Sequence, residues 1–267
     1  MKLHPRLSLS ALVTPTFSFA EDLAFWSECG LQHVGLYSGK VTAHGDDAAV
    51  ADLKARGLRV SSIVCPAFTL DDPAVLAREQ DYLNTMVDVA AEVGGIIYCP
   101  PGKGRFDEWT ANVASYAAAV APCIAHACAR GVIVAFEPTL RPHLSFVHNL
   151  RDGLDLARDS GAAMVVDIGN CYTERDHRAL IHQMAGTMAV VQISDVAVGT
   201  SSAPGKGLRC LPGEGELPLE DHIRAAHESG YAGPFEIEFM GEPDVDRAAI
   251  RRSLHLVDGM LCRVVGP

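Results

Sequence analysis

The feature that most constrains this chain is a repeated alternation of short β-branched runs with longer stretches whose apolar residues fall at helical spacing. Arg6 to Val13 reads as a first strand and Glu21 to Cys29 as a helix stopped at Gly30. His33 to Tyr37 is a second strand, followed by a helix from Asp46 to Arg56 closed by Gly57. Leu58 to Cys65 is the third strand, ended by Pro66. Asp72-Pro73 then opens a long helix that places Leu76, Leu83, Val87 and Ala90 on one face. Gly95 to Cys99 is the fourth strand. The helix after it carries Phe106, Trp109, Val113, Tyr116, Val120 and Ile124, with Pro122 predicting a kink or a break. Val132–Glu137, Ala163–Ile168, Thr187–Asp195 and Phe235–Phe239 complete the strands. Their helices lie at Leu150–Asp159, Asp176–Ala185, Leu219–Glu228 and Asp244–Leu261.

Such alternation predicts a parallel sheet with helices outside it, and eight strand–helix units is the number that closes a (β/α)8 TIM barrel. A doubly wound open sheet is the alternative, but no Gly-x-Gly-x-x-Gly turn follows the first strand. The 267 residues suit one barrel, and no linker or low-complexity segment divides them. Residues 1–267 are therefore read as a single domain.

Composition narrows the partners. The formal charge of −11 argues against a protein that grips nucleic acid or an anionic membrane through a general positive field. No apolar stretch is expected to reach the ~20 residues of a membrane span. The first residues meet Pro5 and lack the apolar run of a secretory signal, which points to the cytoplasm. Eight cysteines without a Cys-x-x-Cys pair fit free thiols in a reducing compartment.

In a barrel, chemistry sits at the C-terminal ends of the strands, so ionisable residues closing apolar strands are the ones to follow. Glu137 ends Val-Ile-Val-Ala-Phe-Glu, Asp167 ends Ala-Ala-Met-Val-Val-Asp, and Glu238 lies near the end of Phe-Glu-Ile-Glu-Phe. Period-two alternation puts Gln192 and Ser194 on one face of the seventh strand. Carboxylates converging on one mouth repel each other unless a cation neutralises them. Three carboxylates and an amide oxygen suit one divalent metal ion. All-oxygen ligation favours Mn²⁺ or Mg²⁺ over Zn²⁺ or Co²⁺.

At these residues the chain resembles the xylose-isomerase-like superfamily of sugar isomerases and epimerases. The likeness is carried by Phe136-Glu-Pro138, Val166-Asp-Ile168, Val191-Gln-Ile-Ser-Asp195, Pro212-Gly-Glu-Gly-Glu-Leu-Pro218 and Gly230-Tyr-Ala-Gly-Pro-Phe-Glu-Ile-Glu238. The resemblance implies metal ligation by Glu137, Asp167, residue 192 and Glu238. Two departures stand out. Gln192 occupies the place of a family histidine, and Asn170 stands where epimerases often carry a substrate-binding histidine. Glu236 shares a face with Glu238 and is expected behind the ligands or in an interior ion pair.

The expected activity is a divalent-metal-dependent isomerase or epimerase of a small sugar or polyhydroxy ketone. It would take a proton next to a carbonyl and pass through an enediolate. A lyase of the same fold, an inosose-type dehydratase or a β-eliminase of an oxo-glycoside, is the alternative, since expelling a leaving group starts from the same species. A metal-free sugar-binding pseudo-enzyme, with Arg or Lys pairing the acids, is a third reading. The AP-endonuclease type is disfavoured by the charge and by the carboxylate-and-amide set in place of a histidine cluster. Glu137, Glu238, Lys40 and His143 are the candidate bases; Asn170, Arg141 and Arg209 are candidate substrate anchors. The long loop from Val196 to Gly215 is read as a lid or clamp. Gly102-Lys-Gly104 is read as an ordinary glycine turn rather than a phosphate cradle. The partner is a small sugar-like molecule, with a homodimer as the common default assembly.

Overall fold

The computed structural model describes residues 2–106, 108–197, 209–240 and 246–267. Eight strands close a parallel barrel. In chain order they are β1 (Leu7–Ser10), β2 (His33–Tyr37), β3 (Arg59–Val64), β4 (Ile96–Cys99), β5 (Val134–Phe136), β6 (Ala163–Asp167), β7 (Met188–Ile193) and β10 (Phe235–Ile237). β10 pairs with β1 to shut the ring. A short antiparallel hairpin of β8 (Asp195–Val196) and β9 (Arg209–Cys210) rises after β7. The helices are α1 (Phe19–Cys29), α2 (Ser38–His44), α3 (Asp46–Ala55), α4 (Pro73–Val93), α5 (Trp109–Arg130), α6 (Leu150–Ser160), α7 (Ile168–Cys171), α8 (His177–Gln183), α9 (Leu219–Glu228) and α10 (Arg247–Val264). The single (β/α)8 barrel expected from the alternation is the fold observed.

Differences from the sequence-based expectation are local and have local causes. The first strand is shorter than expected because the Ser10 side chain accepts the Leu12 N–H and turns Ala11–Val13 into a 3-10 helix. Helix α1 begins earlier than expected, at a capping box in which Ser18 and Glu21 satisfy each other's backbone donors. Helix α2 occupies the segment after β2 that carries Lys40, where a loop is expected. Helix α5 neither breaks nor ends at Pro122. At 22 residues it is also long and apolar enough to cross a bilayer, which corrects the expectation that no segment is. Its Val113, Tyr116, Val120, Cys123 and Ala127 are nonetheless buried at three- and four-residue spacing. Asp244, expected at the start of the last helix, lies outside the described residues.

Strand alternation divides two cores. Leu7, Leu9, Ile97, Phe136, Val166, Val191, Phe235 and Ile237 pack outward against the helices. The inward set includes Val64, Ile96, Tyr98, Ala135, Val165 and Val190, a separate cluster that fills the barrel. The same period carries Glu137, Asp167, Gln192, Glu236 and Glu238 inward, because each lies an even number of residues from one of these or from its in-register neighbour.

Candidate metal centre at the barrel mouth

Three of these inward residues meet. Ligand oxygens of Glu137, Asp167 and Glu238 all lie within 4.8 Å of one another, and all three side chains are buried. Glu137 follows the last residue of β5, Asp167 closes β6 and Glu238 follows β10, so the barrel's strand ends bring them together. Burial, then the charges of Glu238 and Asp167, push the Glu137 carboxyl well above the usual carboxylate range, against the pull of Arg209 and Arg141. Asp167 is also raised by burial, although Arg209 opposes the shift.

Two further residues hold this cluster. Asn170 Nδ2 donates to Glu137 Oε1 at 2.7 Å and to Asp167 Oδ2 at 2.9 Å, and so bridges the acids. Arg209, reaching in from β9, places Nη2 at 2.6 Å from Asp167 Oδ2 and at 3.0 Å from Glu238 Oε2, and its Nε donates to Ser194 Oγ. Burial works to lower the Arg209 pKa, but the Asp167, Glu238 and Glu137 carboxylates outweigh it and raise it. Gly169 makes this approach possible: a Cβ there would overlap Ser194 Oγ and lie 2.9 Å from Arg209 Nε.

The hairpin that carries Arg209 is itself anchored. Asp195 accepts from Val196 N, Gly213 N and Leu217 N, which ties both of its ends to one carboxylate. A Cβ at Gly215 would overlap that carboxylate, which gives the Gly-Glu-Gly segment its physical reason. The middle of the expected lid, residues 198–208, lies outside the described residues.

Gln192 sits below the acids, in register with both Asp167 and Glu236. Its Nε2 donates to Tyr98 Oη at 2.8 Å and to Glu236 Oε1 at 3.0 Å, whereas its Oε1 is buried with no hydrogen-bond partner. Glu236 is fully buried and accepts from Ser61, Ser62 and Gln192, with Ser8 Oγ bonded in turn to Ser61 Oγ at 2.7 Å. Of the two places expected for Glu236, behind the ligands or in an interior ion pair, the ion pair is not found among the described residues: hydroxyls and an amide satisfy it. Burial still raises its carboxyl above the ordinary range, against those hydrogen bonds.

A cavity of about 240 Å³ opens over the acids. Glu137, Glu238, Arg209, Arg141 and Thr139 supply its polar lining, and Leu12, Tyr37, Val64, Pro66, Pro100 and Met240 are among its apolar walls. Arg141, named above as a candidate substrate anchor, lines this cavity. Lys40, expected over the acids as a base, is instead committed elsewhere: Nζ donates to Ala11 O, Thr14 O and Asp22 Oδ2, at 3.1, 2.7 and 2.6 Å. His143, the other loop candidate, is exposed and does not line this cavity. Gly102 N is bonded to Leu144 O, and a Cβ at Gly102 would strike Phe68 O, so its glycine serves loop packing.

Tyr98, Ser8, Ser61 and Ser62 join the site without having been expected there. Ser62 and Tyr98 carry the sequence signal of a polar residue on the inward period of an apolar strand, whereas Ser61 is the extra residue at the register shift between β2 and β3, which no period-two pattern reveals.

This fold and these strand-end acids define a class, and comparison with known proteins agrees with it. The chain matches the xylose isomerase-like TIM barrel family over residues 23–257 and belongs to that family. None of the curated proteins matches it. Among solved structures it is similar to a xylose isomerase domain protein from Alicyclobacillus acidocaldarius, at 22% identity and a TM-score of 0.83, covering 98% of this chain and 99% of that one. It is similar to the IolI protein with a bound zinc atom, at 14% identity, a TM-score of 0.83 and coverage of 97% and 99%. It is also similar to 3-keto-D-glucoside 4-epimerase, YcjR, from E. coli, at 16% identity, a TM-score of 0.79 and coverage of 96% and 100%.

Proposed function

We propose that the chain is a divalent-metal-dependent isomerase or epimerase acting on a small sugar or polyhydroxy ketone. The observation that carries this reading is the mouth itself. Three buried carboxylates converge within 4.8 Å, and among the described residues the one cation paired directly with them is the guanidinium of Arg209. The donor set fits a hard cation, because Glu137, Asp167 and Glu238 offer oxygen and the unpartnered Gln192 Oε1 offers a fourth. The similarity to a zinc-bound IolI and to a sugar epimerase supports it. Mn²⁺ or Mg²⁺ is favoured over zinc by the all-oxygen set.

When bound, such an ion polarises a substrate carbonyl and stabilises negative charge that develops beside it. The rest of the chemistry belongs to the chain. Glu137 and Glu238 line the cavity and serve as the bases that take and return a proton at carbon. Arg141 and Arg209 hold substrate oxygens through their donors. Asn170 contributes no proton; its amide holds Glu137 and Asp167 at their spacing. The apolar walls limit water around the reacting carbon. The enzyme works on a small molecule in the cytoplasm, with a homodimer as its assembly and with neither nucleic acid nor membrane as partner.

Two other readings each have one observation in their favour. A lyase is favoured by Asn170, which brings an amide to a place where epimerases often carry an imidazole. A metal-free sugar-binding scaffold is favoured by Arg209, which pairs two of the three acids.

One experiment separates the three. Protein purified without chelator is assayed for metal, then incubated with Mn²⁺ and a panel of keto-sugars in deuterated water. About one equivalent of metal, with deuterium gained at unchanged composition, is the expected result. Loss of water or an aglycone replaces the isomerase by the lyase. No metal, and no thermal shift on adding Mn²⁺, leaves the binding scaffold.

A further inference from the structure

We infer that Glu236, together with Tyr98, is a positioning residue that fixes which atom of Gln192 faces the metal. This rests on the metal-dependent reading above and extends it to residues that do not themselves ligate.

A carboxamide presents an oxygen and an NH2 of nearly equal shape, and only the oxygen ligates a hard cation. Left to itself, Gln192 would sample both orientations, and one of them would turn a donor toward the ion. The network beneath it removes that choice. Glu236 is acceptor-only when ionised, and Ser61 and Ser62 both donate to it. The Ser8–Ser61 contact extends the same chain of hydroxyls from β1 across β3. The acceptor left on Glu236 Oε1 must meet a donor, and the group within reach is Gln192 Nε2, at 3.0 Å. Tyr98 Oη, at 2.8 Å, receives the second N–H. Both amide protons are thereby used below, and the planar group leaves Oε1 as its one buried atom without a partner.

The backbone is shaped for this carboxylate. Gly35 on β2 leaves its place empty, since a Cβ there would overlap Glu236 Oε2. Residues on β1, β2, β3, β4 and β10 therefore combine to orient one amide on β7. The arrangement has the logic of a carboxylate that fixes the orientation of a metal-ligating side chain from behind.

Mn²⁺ affinity by calorimetry, the number of waters on bound Mn²⁺ by proton relaxation, and the fold by circular dichroism test the inference in wild type, Glu236→Gln and Tyr98→Phe. Glu236→Gln is isosteric and lets residue 236 donate to Gln192, which turns the amide over. The expected result is affinity weakened about 10- to 100-fold, with one more water on the ion and an unchanged spectrum. Tyr98→Phe alters no charge, so a loss there, expected at several-fold with the same gain of water, is not a field effect. It also carries the test if Glu236→Gln does not fold. Wild-type binding with both variants within twofold of it and no added water overturns the positioning role while leaving the metal centre intact. No Mn²⁺ bound by wild type overturns the metal reading itself.

Discussion

Two polar layers lie one above the other inside this barrel, and they are built on opposite rules. The lower has one carboxylate, Glu236, ringed by two serine hydroxyls and an amide, with donors matched to acceptors. The upper has three carboxylates and, for positive charge in direct contact among the described residues, the guanidinium of Arg209. A buried polar group with its partners in place stabilises a core, whereas crowded like charges cost free energy until something else neutralises them. In the lower layer the carboxylate is satisfied by the chain alone, and the one acceptor left open is Gln192 Oε1. The upper, among the described residues, is left with more carboxylates than cations, and on the reading proposed above a divalent ion completes it.

The largest effects should come from emptying the upper layer. Asp167→Asn or Glu137→Gln should abolish stoichiometric metal binding and lower turnover by at least roughly 10²–10³-fold. Metal content after gel filtration, and rates on whichever substrate the exchange screen identifies, check this. Retained metal in either variant would show that the three acids do not act as one centre.

Next in size is a change that should leave the metal alone. Lys40 is paired with the fully buried Asp22, whose carboxyl burial raises to about 6 in spite of that pairing. Lys40→Met leaves Asp22 without its cation, and breaking a buried pair costs about 3–5 kcal/mol. For a chain of this size that is a fall of roughly 10 °C in Tm. Mn²⁺ affinity should stay within twofold of wild type. A catalytic lysine would give the reverse pattern, with Tm preserved and rate lost.

The sharpest comparison of the two layers uses one substitution in each, measured in chelator. Glu137→Gln removes a like charge from the crowded layer and should raise Tm by a few degrees, a gain of ~1 kcal/mol, while destroying function. Glu236→Gln places an amide among donors already matched to a carboxylate and should lower stability by about 1–3 kcal/mol. The same chemical change is thus expected with opposite signs in adjacent layers of one barrel. Equal signs would remove the distinction between a site and a support.

How much of this was legible in the sequence follows from what each feature depends on. The barrel was legible because eight strands each repeat the same periodic signal. Glu137, Asp167 and Glu238 were legible because an apolar strand rarely ends in an acid unless the acid has a partner beyond it. Arg209 was found on a loop but its partner was not, since a side chain's reach across the mouth is a tertiary fact. Lys40 misled because a lysine after a strand looks alike whether it faces the mouth or, as here, the backbone carbonyls of Ala11 and Thr14. The Ser8, Ser61, Ser62 and Tyr98 network was invisible because its members come from strands far apart in sequence. Only barrel closure, which sets β10 beside β1, brings Glu236 to them.

The smallest expected effect lies outside both layers and sets a control for acid behaviour. His177 on α8 and His222 on α9 meet edge to face, 4.3 Å between ring centroids, and each has a buried Nδ1 without a hydrogen-bond partner. Burial lowers His177 to about 4; burial, then the His177 and Arg178 charges, lower His222 to about 3. Both are therefore neutral in the fold at pH values where the unfolded chain has protonated them. Stability contributed by the neutral pair is fully present above pH ~6.5 and is lost as pH falls from there toward 4, because the unfolded state binds the extra protons. Asp22 works the other way between about 6 and its ordinary value, since the fold holds its proton more tightly. Replacing His222 by Leu should therefore reduce the proton uptake on unfolding near pH 5 by about one. Urea titrations at pH 5 and pH 7 in chelator measure the slope directly. An unchanged slope would show that this helix pair does not carry the acid sensitivity of the chain; the mouth carboxylates cannot supply it either, because the fold raises Glu137 and Asp167 and so holds their protons more tightly.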